Sequence, residues 1–310
     1  MKKRVAILTG GKSPEREICL GSGNQIKHSL DENKYDGYLL DVQKNSALTE
    51  LINSPPDIAF LALHGQYGED GTIQGFLEYL NIPYTGSDVL ASSIAISKTF
   101  TKRIYAESKI LTAPSFTYQR ANFIYENAKK DIDTLGCPVI IKPDKLGSTI
   151  GTTKVNNPDE LKTAFEKAFN LDKLVMAEQF INGIELTVGV IGNNKELQAL
   201  PVIEIVPKKG FFDYEAKYTP GATDEIVPAR ISKKQTMLAQ EIGIQSHRAL
   251  GCYGISRTDI ILTSDDKMYV LETNTCPGFT ENSLIPKASR CAGINMTELI
   301  SKLLTWAEER

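Results

Sequence analysis

The segment from Arg257 to Asn274, Arg-Thr-Asp-Ile-Ile-Leu-Thr-Ser-Asp-Asp-Lys-Met-Tyr-Val-Leu-Glu-Thr-Asn, constrains the fold more than any other part of the chain. Two strand-like apolar runs flank Asp265-Asp266, so a tight hairpin centred there predicts an antiparallel pair in which residues equally far from the turn face each other. Asp259 then opposes Glu272, and Arg257 opposes Asn274. Because side chains alternate along a strand, all four lie on one face, with opposed Cβ atoms about 5 Å apart. Two unpaired carboxylates this close repel, and a hard divalent cation bound by oxygen ligands relieves the repulsion. Mg²⁺ bridging a nucleotide triphosphate is the natural occupant. The competing reading is a diagonal Arg257–Glu272 salt bridge with Asn274 as a turn residue, which leaves Asp259 unexplained.

Elsewhere strand-like runs alternate with helical patterns. The strand-like runs are Arg4–Thr9, Asp57–Leu63, Cys137–Lys142, Leu174–Glu178 and Leu200–Val206. That alternation predicts an α/β protein. Asn157-Pro158 opens a helix, since proline suits the first helical position and Leu161, Ala164, Phe165, Ala168 and Phe169 then share one face. At 310 residues the chain is long enough for two domains or lobes with a cleft between them. A balance of 35 Lys and Arg against 38 Asp and Glu gives no electrostatic reason to expect nucleic acid or an anionic membrane, so the expected partner is a small molecule. No apolar run approaches the roughly 18 residues that span a bilayer. The five cysteines include no Cys-x-x-Cys pair, and a reducing cytoplasm is the expected location.

Four loops carry candidate chemistry. The first strand runs into Gly10-Gly-Lys-Ser-Pro-Glu15-Arg-Glu, where backbone N–H groups at a strand-to-helix turn suit an anion, although Glu15 and Glu17 also read as partners of the helix dipole. A second strand ends in His64-Gly-Gln-Tyr-Gly-Glu69-Asp70-Gly71, at the carboxyl end where open α/β sheets bind ligands. There His64 reads equally well as an anion-orienting group and as a satisfied structural histidine. In Lys142-Pro-Asp-Lys145-Leu-Gly147-Ser148-Thr149-Ile-Gly151 a lysine closes an apolar run, and the small-residue loop after it can lie over a triphosphate. Cys276-Pro-Gly278-Phe-Thr-Glu-Asn-Ser283 offers N–H groups and a hydroxyl to an oxyanion or carboxylate. A fifth segment, residues 208–229, lacks a clear period and reads as a lid.

Taken in order, these blocks resemble the ATP-grasp ligases, and among them the D-alanine–D-alanine ligase family. The resemblance covers essentially the whole chain, including Leu63-His-Gly-Gln-Tyr-Gly-Glu-Asp-Gly, Pro83-Tyr-Thr-Gly-Ser and Glu272-Thr-Asn-Thr-Cys-Pro-Gly. It implies an N-terminal Rossmann-like lobe with a parallel sheet (residues 1–96), then an ATP-grasp region (97–310). That region comprises a central lobe (97–180) and a C-terminal antiparallel-sheet lobe (181–310) carrying the lid. It also implies ATP and two Mg²⁺ or Mn²⁺ ions, D-alanine as substrate, a homodimer, and a role in supplying peptidoglycan precursors. By position in the family's motifs, Lys98 and Lys142 resemble phosphate-binding lysines. Glu178, Gln179, Ile181 and Glu185 resemble adenine and ribose contacts, and Asp259, Glu272 and Asn274 resemble the metal ligands. Glu15 and His64 resemble residues around the first D-alanine, with Ser148 linked to Glu15 through Tyr218. Lys217, beside that tyrosine in Glu215-Ala-Lys-Tyr218, belongs with the nucleotide and second-substrate groups. Arg257 and the backbone of Gly278 resemble the groups at the reacting centre, while Ser283 and Leu284 resemble the pocket for the second carboxylate. The sequence departs from the family at Lys145-Leu146 and at Cys276. The Glu-Ala-Lys-Tyr block speaks against an ester-forming relative.

Overall fold

The computed structural model describes residues 2–208 and 221–310. Lys217, Tyr218 and most of the expected lid lie outside the described residues. Three sheets organise the described residues.

The first sheet is parallel. Strands β1 (Lys3–Thr9), β2 (Tyr35–Asp41) and β3 (Ile58–Leu61) lie in the order β2-β1-β3, joined by α1 (Arg16–His28) and α2 (Asn45–Asn53). Val5 through Leu8 and all of β3 are buried on both faces, which is why these strands read as continuous apolar runs rather than alternating ones. Helices α3 (Thr72–Tyr79), α4 (Val89–Ile96) and α5 (Lys98–Glu107) follow. Ser97 caps α5, and Asp144 receives both the Ser97 hydroxyl and the Thr99 amide, so the start of that helix is fixed against the next sheet.

In the second sheet the order is β4-β7-β5-β6, all neighbours antiparallel: β4 (Ser115–Gln119), β5 (Val139–Pro143), β6 (Thr153–Val155) and β7 (Leu174–Gln179). Between these strands run α6 (Tyr125–Leu135) and α7 (Leu161–Leu171). Helix α7 buries Leu161, Ala164, Phe165, Ala168 and Phe169, the face read from the sequence, with Pro158 opening a short 3₁₀ turn before it.

The third sheet, antiparallel, runs β11-β10-β8-β12-β13, with β9 beside β8. Its strands are β8 (Ile184–Gly192), β9 (Leu197–Ala199), β10 (Ile203–Pro207), β11 (Thr223–Ile226), β12 (Gly254–Leu262) and β13 (Met268–Asn274). The run Leu200–Val206 is one strand in the sequence reading, but only its later part is strand, because Pro201 has no N–H to give a ladder. Likewise the aperiodic stretch 208–229 contains β11, four residues paired to β10 through Glu204↔Ile226 to Pro207↔Thr223. Helix α8 (Lys233–Ala249), opened by a Ser232–Gln235 capping box, packs behind β8 and β12, and α9 (Leu284–Cys291) and α10 (Met296–Glu308) end the chain.

One core joins the first sheet to the third: Val5, Ile7, Ile58 and Phe60 pack with Ile203, Ile255, Ile285 and Leu303, and Phe60 meets Phe279 edge-on at 5.4 Å. Helix α5 contributes Tyr105 to a second core beneath β8 and β12. A third core sits under the second sheet.

The predicted hairpin forms with the expected partners, Asp259↔Glu272 and Arg257↔Asn274, by a route the sequence reading did not foresee. Thr263 pairs with Lys267 around a three-residue loop whose last residue, Asp266, is left-handed. That loop shifts the register by one, so Ile260 faces Val270. A β-bulge next to Asp259 shifts it back. The two departures from an ideal two-residue turn cancel at the carboxylates.

Candidate active site

A cavity of about 550 Å³ lies where the three sheets converge. It is lined by Glu15 and His64 from the ends of first-sheet elements, Lys98 from α5, Ser148 from the loop after β5, and Glu185 from β8. Arg257, Asp259, Glu272 and Asn274 come from the hairpin, and Gly278, Ser283 and Leu284 from the segment entering α9. The structure therefore brings together twelve of the sequence-predicted residues in one place. Lys142, Glu178, Gln179 and Ile181 lie on or just after β5 and β7 and are not part of that lining.

At the first-sheet end, the Ser148 hydroxyl donates to the Glu15 carboxylate, tying the small-residue loop to the first strand-to-helix turn. Ser148 and Thr149 both adopt positive φ, 52° and 60°, which orders the loop into a tight curve at some cost in backbone strain. Gly65 also has positive φ, and a Cβ there would sit 3.0 Å from a Glu15 carboxylate oxygen, so this position needs glycine for both reasons.

His64 is buried, with Nδ1 2.9 Å from the Cys276 carbonyl and Nε2 without a partner among the described residues. Burial holds its pKa below the usual imidazole value, so the ring is neutral near pH 7. Glu69, five residues on, is a site residue that the sequence reading left aside. One of its oxygens accepts the Gly65 amide, and the other is buried with no partner among the described residues. Burial, reinforced by the Glu15 charge, pushes its carboxyl up to about 8. Glu69 is therefore an uncharged acid at neutral pH, able to donate a hydrogen bond into the cavity.

The hairpin carboxylates correct the sequence expectation. They are not an unpaired, mutually repelling couple, and the alternative Arg257–Glu272 bridge is not what holds them. Arg257 forks onto Asp259 at 2.8 and 3.0 Å, within the same strand, and Thr187 of β8 donates to the same carboxylate. Glu272 lies 3.4 Å from the Lys98 ammonium, which also donates to the Leu146 carbonyl. Asn274 turns its side-chain carbonyl to the Cys276 amide. Two carboxylates and an amide oxygen facing one cavity suit a hard divalent cation, whose remaining ligands would be triphosphate oxygens and water. Among the described residues no cluster of three or more His, Cys, Asp or Glu offers an all-protein cage.

Behind the hairpin carboxylates lies a buried polar layer whose Thr273 reaches the cavity wall. The Tyr105 hydroxyl donates to Thr273 Oγ1 at 2.6 Å, Thr273 meets Thr258 at 2.8 Å, and His247 Nδ1 meets the Ser256 hydroxyl at 2.7 Å. Toward the far end, the Ser283 hydroxyl meets Thr280 at 2.7 Å, and Lys287 of α9 pairs with Glu225 of β11.

Glu178 is held on both sides. The Lys142 ammonium lies 2.7 Å from one oxygen and that of Lys102 2.6 Å from the other. Burial alone would raise this carboxyl, but the two ammonium groups outweigh it and keep its pKa below the ordinary value. Lys102, one helical turn after Lys98, was absent from the sequence reading because a lysine at that spacing reads as a solvated helix face. Gln179 donates to the Leu135 carbonyl at 3.1 Å.

Two antiparallel sheets and a parallel sheet that converge on one cavity, with Lys98 and the carboxylate-bearing hairpin in its lining, define an enzyme of the ATP-grasp class. Comparison with known proteins narrows the class. Residues 105–305 match the family described as D-ala D-ala ligase C-terminus, and residues 46–87 match D-ala D-ala ligase N-terminus. The D-alanine–D-alanine ligase of Syntrophobacter fumaroxidans is 45% identical, with 99% of this chain and 98% of that protein covered. The one from Geotalea uraniireducens is 40% identical, over 98% and 96%. Among solved structures, a Bacillus anthracis D-alanine–D-alanine ligase complexed with ATP superposes with a TM-score of 0.85 at 31% identity, covering 99% of this chain and 98% of that one. The VanG D-Ala:D-Ser ligase of Enterococcus faecalis does so with a TM-score of 0.86 at 31% identity, covering 99% and 100%. The chain belongs to the D-alanine–D-alanine ligase family.

Proposed function

We propose that this chain is an ATP-dependent ligase that joins two D-alanine molecules into D-alanyl-D-alanine through a D-alanyl phosphate, releasing ADP and phosphate. The observation that carries the reading is the single cavity in which Glu15 and His64, Arg257 with the two hairpin carboxylates, and Ser283 at the start of α9 line up. A reaction that first phosphorylates a carboxylate and then moves the acyl group to an amine needs three anionic groups held in a row, and the cavity offers a polar cluster for each.

In this reading Glu15, steadied by Ser148 and joined by Tyr218, receives the ammonium of the first D-alanine. Neutral His64 and neutral Glu69 add hydrogen-bonding atoms without adding charge. The first D-alanine carboxylate attacks the γ-phosphorus of ATP, the bond to the β-γ bridging oxygen breaks, and ADP departs. Lys98 and Lys142 hold the phosphates, while Glu178, Gln179, Ile181 and Glu185 take the adenine and ribose end. The amine of the second D-alanine then attacks the acyl carbon, phosphate leaves, and Arg257 with the Gly278 amide stabilises the developing oxyanion. Ser283, the Leu284 backbone and Lys217 receive the second carboxylate. Asp259, Glu272 and Asn274 would hold Mg²⁺ or Mn²⁺, two ions in the family's pattern, which neutralise charge on the transferring phosphoryl group. Glu185 lines the same cavity. A homodimer, a cytoplasmic location, lobes bounded at residues 96 and 180, and a role in supplying peptidoglycan precursors complete the proposal.

The test is ATP-dependent phosphate release measured with D-alanine, L-alanine, D-serine and D-lactate side by side. Release with D-alanine alone, and formation of the dipeptide, is the expected result. Preference for D-serine or D-lactate as second substrate would reassign the product. No release with any of them would overturn the reading.

A further inference from the structure

The buried triad Lys102–Glu178–Lys142 has a feature that the proposed roles of its members do not explain. Two ammonium groups share one carboxylate, each on its own oxygen, and all three side chains are nine-tenths or more buried. The triad therefore carries one excess positive charge inside the protein, a state that calls for an anion to complete it.

Its two lysines are held differently. Lys102 is anchored twice, to Glu178 Oε2 and to the carbonyl of Ala113, just before β4, so its ammonium is fixed between α5 and the second sheet. For Lys142 the Glu178 carboxylate is the one recorded acceptor among the described residues. It stands on β5 diagonally across from Glu178 on β7, since Ile140 faces Glu178 and Lys142 faces Met176. Lys142 is thus the lysine that can turn away. Were it the sole cation on Glu178, turning toward a phosphate would leave a buried carboxylate uncompensated, and that penalty would be charged against nucleotide binding.

We propose that Lys102 is a positioning residue, the permanent counter-ion of Glu178, and that by holding this carboxylate it releases Lys142 to engage the polyphosphate of the nucleotide. This rests on the nucleotide reading given above and deepens it. Without Lys102 the triad becomes a closed Lys142–Glu178 pair with no net charge, and Lys142 must abandon a buried partner in order to bind phosphate. A ligand without phosphate does not call for that exchange: with adenosine alone Lys142 stays on Glu178, so this carboxylate keeps a cation whether or not Lys102 is present.

Binding of two probes by calorimetry separates the alternatives: magnesium tripolyphosphate, which senses the phosphate site alone, and adenosine, which senses the base and ribose site. Lys102→Met should weaken tripolyphosphate at least tenfold and change adenosine binding less than twofold, and Lys102→Arg should recover most of the tripolyphosphate affinity. In the Glu178→Gln background, where no buried carboxylate needs compensation, Lys102→Met should have almost no further effect on tripolyphosphate. Unchanged tripolyphosphate affinity in Lys102→Met would overturn the proposal. Equal loss of both probes would also overturn it, because Lys102 would then only hold α5 in place. So would an undiminished effect of Lys102→Met in the Glu178→Gln background. If the unsubstituted protein binds neither probe, the nucleotide reading itself falls, and the proposal with it.

Discussion

The polar layer behind the Arg257–Asn274 hairpin should act as one coupled unit, and a double-mutant cycle on Tyr105 and Thr273 measures this. Tyr105 is fully buried, Thr258 likewise, and Thr273 is 2% exposed, so water cannot replace a lost partner. Removing the phenolic hydroxyl in Tyr105→Phe deletes one donor, but Thr273 keeps Thr258, so the cost is about 1 kcal/mol. Thr273→Val is worse, because it strips an acceptor from the Tyr105 hydroxyl and a partner from Thr258, and two under-satisfied buried hydroxyls cost about 2–4 kcal/mol. The double variant removes the tyrosine hydroxyl that the valine orphans, so it should fall short of the summed single effects by about 1 kcal/mol. With roughly 2 cal/mol/K of unfolding entropy per residue, a chain of 310 residues loses about 3 °C of Tm for 2 kcal/mol. Calorimetry resolves such a shift. Because Thr273 adjoins Glu272 in β13, Thr273→Val should also raise the Mg²⁺ concentration for half-maximal phosphate release several-fold, while Tyr105→Phe changes it less. Additive single effects, or a Thr273→Val cost under 0.5 kcal/mol, would refute the reasoning and reduce the layer to ordinary packing.

Asp259→Asn should abolish phosphate release and lower metal-free stability by about 1–3 kcal/mol, since it removes the charge that both Arg257 hydrogen bonds rest on; a rise in Tm in EDTA would restore the view that the carboxylates repel. Glu69→Gln tests the uncharged acid. Its folded pKa near 8 exceeds the unfolded 4.5, so the folded chain holds an extra proton between those values and the native protein loses stability as pH rises through that window. The variant lacks this proton, and its Tm relative to the native protein should climb from pH 5 to pH 9; a constant difference would count against the buried neutral state. Asp41 has the opposite sign: the hydrogen-bonded Arg16 guanidinium holds its carboxyl at about 2, so its contribution is present above about 4 and lost as pH falls toward 2. Asp41→Asn should cost about 1–2 kcal/mol at pH 6 after allowance for solvent screening, and the gap to the native protein should narrow steadily in acid denaturation below pH 4.

What the sequence made legible follows from the period of each element. The α7 face was readable because five apolar residues recur at helical spacing after a proline that suits the first turn of a helix. Asp259 and Glu272 could be set opposite each other because side chains alternate by two, and a bulge undid the shift that the longer turn had introduced. A bulge leaves no clear mark in sequence, so the agreement at the carboxylates conceals a wrong turn. Strand β11 was missed because Thr-Asp-Glu-Ile is short and half charged, and it takes strand form only by pairing with β10. Charge partners were the least legible feature. Arg257 pairs with Asp259 two residues away in its own strand, a geometry that opposed-strand counting does not consider, and Lys102 meets Glu178 only because α5 is pinned by Asp144.

These pairings bear on how a site built for highly charged ligands stays folded without them. Asp259 rests on Arg257, Glu272 lies against Lys98, Glu178 is shared by two lysines, and Glu15 takes the Ser148 hydroxyl. Leaving any of these groups buried without compensation would cost several kcal/mol, a large fraction of the stability of an ordinary domain. In the proposed function these internal ion pairs correspond to ligand contacts of the same sign: Lys98 and Lys142 turn from carboxylates to phosphate oxygens, Arg257 turns from Asp259 to the developing oxyanion, and Asp259 and Glu272 turn from cationic side chains to the metal. Binding is then an exchange of partners, and its free energy is the difference between two sets of ion pairs rather than the gain of one. Such differences are small unless geometry favours the ligand set. The three-residue turn, the bulge beside Asp259 and the fixed start of α5 matter for that reason, since they place each charge within reach of both its internal partner and the cavity.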